Sequence, residues 1–307
     1  NIRNLKDQPL DEIQVKKAGR QIKGFLIWLL KVVIIVGISY IILGPLITIV
    51  ANSFFTANDL YNPVVMLLPA EGTLQNYITS FTRMTYPRTL ATTFAYVISL
   101  TLIQIFICSM AGYGCVILTI VIPNDTLMLP LYTQFRNFDI FGIIHLVTGH
   151  GINLLSTEVP MYIMTALGCG LRSGLYIYIF NQFFRGLPKE IEEAAVVDGA
   201  GSFYTYFRIM LVNAMPSVLT VSIFSLVWQY NDTFYAKLFS INSKLLMSMR
   251  ISTLRASIEF IDQIKDTAVS QLYLYAGIVL MVIPIVIIYI LLQKRFIEGA
   301  SRSGIVG

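Results

Sequence analysis

The feature that most constrains this chain is a series of apolar segments, each long enough to cross a lipid bilayer. A transmembrane helix needs about 20 predominantly apolar residues. Six segments meet that requirement: Phe25–Val50, Thr89–Met110, Cys115–Phe135, Pro160–Phe184, Pro216–Phe234 and Leu272–Leu292. The third is interrupted at Pro123, so its polar bend must face protein or a wet cavity rather than lipid. We therefore predict an all-α polytopic membrane protein with six transmembrane helices.

Composition supports lipid as the solvent for much of the surface. Charged residues make up 13% of the chain and hydrophobic residues 56%, whereas a soluble domain has about 25% charged residues. The net charge of +5 is what membrane topology produces and indicates no nucleic-acid partner. The expected lipid-facing surface makes membrane lipid a partner.

The loops divide the chain into parts. Residues 1–24 are too long and polar for the start of a signal peptide, and we interpret them as a cytoplasmic N-terminal arm. Residues 25–298 form the expected membrane domain, with a cytoplasmic loop at 185–213 and an outer loop at 236–271, and residues 299–307 form a cytoplasmic tail. The side that carries both termini holds 12 lysines and arginines against 8 on the other side. This bias predicts cytoplasmic termini.

The loop at 185–213 contains two short helices in its sequence pattern. Pro188 suits the first helical position and is followed by several glutamates, which the helix dipole favours in the first turns. Asp198-Gly199 ends that helix, and a second helix begins after Gly201 or Ser202. The second helix is expected to place Phe203, Phe207 and Met210 on one face. Such a helix pair is too polar to span a membrane and too apolar to remain fully exposed to solvent. The pattern therefore predicts that the pair docks into a groove.

A spaced motif in this loop carries a family resemblance. Glu193-Ala194-Ala195, three residues, Gly199, nine residues, then Ile209 and Leu211 resembles the EAA loop of ABC importer permeases. Val212 stands where the family pattern has proline, which affects only the bend into the fifth span. The resemblance implies that this loop is a coupling loop, which docks on an ATPase subunit. The residues it implies for that contact are Glu193, Ala194, Ala195, Asp198, Gly199, Phe203 and Phe207.

The resemblance extends over about residues 25–307 and is to the carbohydrate-uptake branch, in particular its smaller maltose-type permease. It implies a heterodimer with a homologous larger permease in the bacterial cytoplasmic membrane. It also implies two ABC ATPase subunits that bind ATP and Mg²⁺, and an extracellular solute-binding protein that delivers an oligosaccharide. The C-terminal tail is similar as well, which implies ATPase contacts through Gly304, Val306 and Gly307.

The sequence contains no motif for catalysis or nucleotide binding. It has no Gly-Lys dipeptide and therefore no P-loop, and it has neither a GxSxG nor an HExxH motif. We expect no enzyme activity, no catalytic residue, no metal site and no cofactor in this chain. Three alternatives stay open: an ABC permease for another polar solute of the glycerol phosphate type, a stand-alone secondary transporter, and an intramembrane enzyme. A secondary transporter needs buried acids, and the spans offer only Asp125 and Asp232.

Four residues are candidates for the solute pathway. Arg172 lies within the fourth predicted span, where a charge must face the bundle or a wet cavity. It either donates to sugar hydroxyls or a uronate carboxylate, or pairs structurally with Asp125, Glu158 or carbonyl groups. Trp228 offers a stacking surface, and Asn231 and Asp232 either accept from sugar hydroxyls or cap the end of the fifth span.

Overall fold

The computed structural model describes residues 10–114, 124–140, 142–242 and 246–302. Within these ranges the chain is built from helices, which confirms the all-α prediction. The α-helices are α1 (Leu10–Asn52), α2 (Ala57–Tyr61), α3 (Gln75–Arg83), α4 (Tyr86–Tyr113), α5 (Asn124–Arg136), α6 (Ile143–Thr148), α7 (Val159–Ala166), α8 (Ser173–Arg185), α9 (Lys189–Val197), α10 (Ser202–Thr205), α11 (Leu211–Asn213), α12 (Met215–Tyr230), α13 (Phe234–Leu238), α14 (Met247–Ile261) and α15 (Thr267–Arg302). A π-helical turn, Tyr206–Met210, joins α10 to α11.

Three of the described helices are long and apolar enough to cross a membrane: Lys23–Asn52, Tyr86–Tyr113 and Thr267–Gln293. They coincide with the first, second and sixth predicted spans. A fourth crossing is reached if Ser202–Asn213 and Met215–Tyr230, which meet at an angle of 76°, are counted as one bent span. The total of six spans therefore stays a prediction, and most of the first half of the third span lies outside the described residues.

The chain divides into two compact units, Asn1–Thr73 and Leu74–Gly307. In the first unit α1 begins at Leu10, so the expected N-terminal arm is helical where it is described. After α1, the carboxylate of Asp59 closes a capping box with Thr56 at the start of α2. The backbone N–H of Thr56 holds the pKa of Asp59 below its ordinary value, and the N–H groups of Ala70 and Glu71 add to this effect.

The predicted fourth span is not continuous, which corrects the expectation of a single helix over Pro160–Phe184. It consists of α7 and α8, separated by residues 167–172. Gly168 has a φ of +74° and Arg172 a φ of +59°, a left-handed conformation that interrupts a right-handed helix. A Cβ on Gly170 would lie 2.7 Å from the Thr165 hydroxyl oxygen, so the chain folds back closely on α7 there.

In the second unit α4 is central and packs against α7, α8 and α12, while α12 and α14 pack against α15. Helices α4 and α8 approach each other closely at Gly112, where a Cβ would lie 2.6 Å from the Cβ of Phe180. Asn181 Nδ2 donates to the Gly112 carbonyl oxygen at 2.9 Å. Small residues at helix crossings allow this approach in membrane bundles.

The predicted outer loop, 236–271, contains α13 and α14. Helix α14 buries Met247, Leu254 and Ile258 in the same core as α4 and α7. It ends at Ile261, where Asp262 caps it and receives a two-point ion pair from Arg83 of α3.

Candidate functional site

The first helix of the coupling loop ends in a glycine-dependent turn, as its sequence predicts. Helix α9 stops at Val197 with Asp198 as its C-cap, and Gly199 has a φ of +76°. The N–H of Gly199 donates to the Val196 carbonyl at 3.0 Å, and the N–H of Ala200 donates to that of Ala195 at 2.9 Å. This pair of bonds is a Schellman motif, which favours glycine at the left-handed position. The start of α9 differs by one residue, because Pro188 is its N-cap rather than its first helical residue.

The second helix of the loop begins at Ser202 after the N-cap Gly201, as predicted. Its inward face is not the predicted one. The π-helical turn shifts the register, because each of its turns holds more residues than an α-helical turn. Tyr206 and Met210 are therefore buried, whereas Phe203 is 73% exposed and Phe207 is 41% exposed.

The outer surface of this helix pair is the candidate coupling surface, defined as the exposed side chains of α9 and α10 with Phe207. Glu193, Ala194, Asp198 and Gly199 are exposed on it, whereas Ala195 is buried against the second helix. Val197 is 86% exposed. A cleft of about 680 Å³ opens between the two helices and is lined by Ala195, Asp198, Gly199, Ala200, Gly201, Tyr204, Arg208 and Ile209.

Two side-chain hydrogen bonds connect the coupling pair, which consists of α9 and of α10 with its π-helical turn, to α4. The Tyr113 hydroxyl donates to a carboxylate oxygen of Glu192 in α9. The hydroxyls of Ser109 and Tyr206 are hydrogen-bonded at 2.6 Å. Sequence reasoning missed both contacts, because they join residues about 80 and 97 positions apart. The one available signal was the tyrosine in Ala111-Gly112-Tyr113-Gly114.

Aromatic contacts reinforce the same junction. The ring of Tyr113 lies 5.5 Å from those of Phe184 and Tyr206, and Phe106 stacks on Phe207 at 6.0 Å. Phe207 is thus shared between the coupling surface and the bundle. The tail residues Gly304, Val306 and Gly307 lie outside the described residues.

A second cluster lies where α8 begins. Arg172 is the exposed N-cap of α8, and its guanidinium carbon is 4.4 Å from the centre of the Trp228 ring. The two side chains thus form a cation–π pair. Arg172 makes no ion pair with Glu158 or any other described residue, and the side chain of Asp125 lies outside the described ones.

The side chains of Asn231 and Asp232 bond to the backbone between α12 and α13. Asn231 is the C-cap of α12, and its Nδ2 donates to the Val227 carbonyl at 2.9 Å. The Asp232 Oδ1 accepts from the N–H groups of Phe234 and Tyr235 at 3.2 and 3.3 Å, at the start of α13. The capping alternative therefore describes Asn231 but not Asp232, which bonds to the start of α13 instead of the end of α12. Helix α12 ends at Tyr230 rather than continuing to Phe234.

Within the described part of the chain, no group of three or more His, Cys, Asp or Glu side chains is placed to hold a metal ion.

A comparison with protein families identifies the family of this chain. Residues 106–301 match the family described as binding-protein-dependent transport system inner membrane component. The chain belongs to this family. It is a transport permease and not an enzyme, and it is a membrane component of an ABC transporter.

Two curated relatives align with most of this permease and with nearly their own full length. The probable starch degradation products transport system permease protein of Thermoanaerobacterium thermosulfurigenes is 25% identical over 282 residues, covering 87% of this chain and 93% of that protein. The polygalacturonan/rhamnogalacturonan transport system permease protein of Bacillus subtilis is 24% identical over 272 residues, covering 86% and 92%.

A solved structure shares the permease's fold. It is described as a bacterial ABC transporter involved in the import of the acidic polysaccharide alginate. One of its chains superposes with a TM-score of 0.60 at 17% identity, covering 89% of this chain and 98% of that one.

Proposed function

We propose that this permease is a subunit of an ATP-driven importer that moves an oligosaccharide across the bacterial cytoplasmic membrane by alternating access. Relatives named for starch degradation products and for polygalacturonan support a carbohydrate substrate. A permease named for trehalose transport in Mycobacterium tuberculosis is 24% identical over 256 residues and supports the same class. The solute reaches the permease on an extracellular binding protein.

The observation that carries the ATP-driven part is the candidate coupling surface. It combines exposed apolar side chains with a fixed glycine turn and a cleft between its helices. An apolar face this exposed needs a partner to cover it. Two ABC ATPase subunits, which bind ATP and Mg²⁺ themselves, fit that role. Glu193, Ala194, Asp198, Gly199, Phe203 and Phe207 form the contact, and Ala195 packs beneath it.

The remaining parts of the assembly follow from the same proposal. A homologous larger permease completes the transport pathway as the other half of a heterodimer. Both termini lie in the cytoplasm with the coupling surface, and the membrane carries six spans of this subunit. The tail, through Gly304, Val306 and Gly307, reaches the ATPase pair. Arg172 and Trp228 line the solute pathway, whereas Asn231 and Asp232 support its walls.

Co-purification and uptake test the function together. The permease is expressed with its transporter neighbours, purified through a tag on this subunit and reconstituted in liposomes with its binding protein. We expect ATPase chains and a second permease to co-purify, and oligosaccharide uptake to require ATP. A chain that purifies alone and accumulates sugar with an ion gradient would instead be a secondary transporter.

Two variants test the coupling and the tail separately. Glu193→Lys is expected to insert normally but to lose uptake, because it reverses a charge on the docking face. Deletion of residues 299–307 is expected to change the ATPase rate that the loaded binding protein stimulates, with an intact bundle. Full uptake by the first variant, or an unchanged stimulated rate in the second, would remove that contact from the proposal.

A further inference from the structure

Arg172 and Trp228 meet at the break between α7 and α8. The guanidinium carbon lies 4.4 Å from the ring centre, and both side chains are exposed. The contact with the ring face restricts the side chain and leaves the N–H donors of the guanidinium available for a ligand.

Those donors have no protein acceptor among the described residues. Arg172 forms no side-chain hydrogen bond or ion pair there. The Asp232 carboxylate accepts from backbone N–H groups of α13. Arg172 precedes the 13 residues of α8, so it lies about 20 Å along that helix from Arg185. The predicted fourth span would place this cation within the bilayer, where a charge without an anion is costly.

A buried amide holds the chain on both sides of Arg172. Gln104 of α4 is fully buried, and its Nε2 donates to the Leu171 carbonyl oxygen at 2.7 Å and to the Ser173 hydroxyl at 3.0 Å. The Leu171 carbonyl belongs to the non-helical segment, where lipid offers no hydrogen bonds. Gln104 therefore stabilises the break that positions Arg172.

The same amide also holds the residue after Trp228. Gln104 Oε1 accepts from Gln229 Nε2 at 3.0 Å and from the Ser225 hydroxyl at 2.8 Å, both on α12. The Oε1 of Gln229 is buried and has no hydrogen-bond partner in the described chain. Both donors and both acceptor positions of the Gln104 amide are thus used. They connect the segment that carries Arg172 to helix α12, which carries Trp228. The pair is built into the fold before any solute arrives.

We infer that Arg172 and Trp228 form a subsite for a carboxylate-bearing sugar unit, with Gln104 as its positioning residue. The planar guanidinium fork matches the two oxygens of a carboxylate. A neutral sugar hydroxyl accepts a hydrogen bond but leaves the charge uncompensated, so the unpaired cation favours an acidic sugar. The positive end of the α8 dipole adds to the same preference. This inference rests on the proposed transport of oligosaccharides.

A matched pair of sugars tests the charge preference. The whole transporter in nanodiscs is titrated with trigalacturonate and with its fully methyl-esterified form, which keeps the rings but loses the charges. We expect the acid to bind about 10- to 100-fold more tightly than the ester, as for a hydrogen bond to a charged group. Arg172→Gln is expected to abolish the difference, whereas the exposed Arg88→Gln removes a charge elsewhere and retains it.

Two further variants separate positioning from folding. Arg172→Lys keeps the charge without the fork, so we expect it to retain part of the acid preference. Gln104→Met keeps the volume without the hydrogen bonds, so we expect a lower ratio of acid to ester affinity in a complex that still assembles. A change that lowered both affinities equally would indicate structural damage and would overturn the positioning role of Gln104.

The subsite is overturned if the wild-type transporter binds acid and ester equally or binds neither, or if Arg172→Gln retains the full ratio. ATP-driven uptake of a neutral oligosaccharide would then leave the proposed function standing. Acid-selective binding without uptake of any oligosaccharide would have the opposite meaning, because it would support the subsite and remove the transport proposal.

Discussion

The coupling pair and the outer helix α14 are similar in sequence character and differ in what covers them. Both lie between predicted spans and both carry regularly spaced apolar residues. In α14, Met247, Leu254 and Ile258 are at most 2% exposed. On the coupling pair, Val197 is 86% exposed and Phe203 is 73% exposed. Helix α14 buries its apolar side chains in its own chain as far as Ile258, although Phe260 is 86% exposed at its end. The coupling pair leaves most of its apolar side chains open.

This difference separates two uses of an amphipathic helix. Helix α14 packs on α3 and α15 and closes its own bundle. The coupling pair is connected to the bundle mainly through Tyr206 and Met210, with the rest of its apolar surface facing outward. Apolar periodicity indicates that a helix needs covering, but not whether the same chain provides the cover.

The largest expected effect is on stability, from truncation of the covered face. Leu254→Ala removes a side chain that is 2% exposed and is expected to destabilise the protein by about 2–5 kcal/mol. Phe203→Ala is the matched change on the open face, and we expect it to leave stability unchanged while reducing co-purification of the ATPase. Thermal unfolding in detergent measures the first effect. Equal destabilisation by both variants would contradict the distinction.

The second expected effect is on the coupling turn. At Gly199, where φ is +76°, alanine strains the backbone by about 1–2 kcal/mol. We expect Gly199→Ala to lower ATP-dependent uptake about tenfold, because the strain disfavours the turn conformation that docks on the ATPase. Gly201→Ala is the control, because Gly201 has a φ of −70° and no atom lies within 4 Å of where its Cβ would be. Similar uptake by the two variants would show that turn conformation is not limiting.

The third effect concerns the hydrogen bond between α4 and α9. Tyr113→Phe removes the hydroxyl that donates to Glu192 and is expected to cost about 1 kcal/mol of local stability. Hydrogen exchange of α9 amides is expected to accelerate accordingly. Tyr204→Phe removes an exposed hydroxyl from the neighbouring helix and serves as control. Unchanged exchange in Tyr113→Phe would show that aromatic packing alone holds the pair.

The smallest effect is a pH dependence confined to the outer helix. Arg255 Nε and the Ser270 hydroxyl each donate to Glu259 at 2.8 Å and hold the pKa of Glu259 below its ordinary value of 4.5. A lowered folded-state pKa means that the stabilisation is present above about pH 4.5 and is lost as pH falls further. We expect α14 to become more sensitive to protease on acidification, and Glu259→Gln to remove that change. An identical pH response in Glu259→Gln would assign it to other groups.

Local chemistry made part of this fold predictable. The helix stop at Asp198-Gly199 depends on residues that are adjacent in sequence, and the structure has it where the pattern predicts it. Three long apolar helices were equally predictable from the sequence, because length and hydropathy are local properties. The same holds for the start of α10 after Gly201.

The features that sequence reasoning missed depend on distant partners or on register. The break at residues 167–172 lies within an apolar run, and its Leu171 carbonyl accepts a hydrogen bond from Gln104 of another helix. The π-helical turn adds a residue that no periodic template anticipates, so Phe203 was wrongly assigned to the same face as Met210. The contact of Arg172 with Trp228 joins residues 56 positions apart, which no spacing rule connects.

The 76° bend between α11 and α12 makes α12 a lever arm. Trp228 lies 13 residues beyond Met215, about 20 Å along the axis at 1.5 Å per residue. A tilt of about 10° around the bend would carry Trp228 sideways by roughly 3 Å, which is most of the 4.4 Å that separates it from Arg172. Such a tilt would separate Trp228 from Arg172 and would break the hydrogen bonds that Ser225 and Gln229 donate to Gln104. In the proposed transporter, motion of the coupling pair and disassembly of the Arg172–Trp228 pair would therefore be one event.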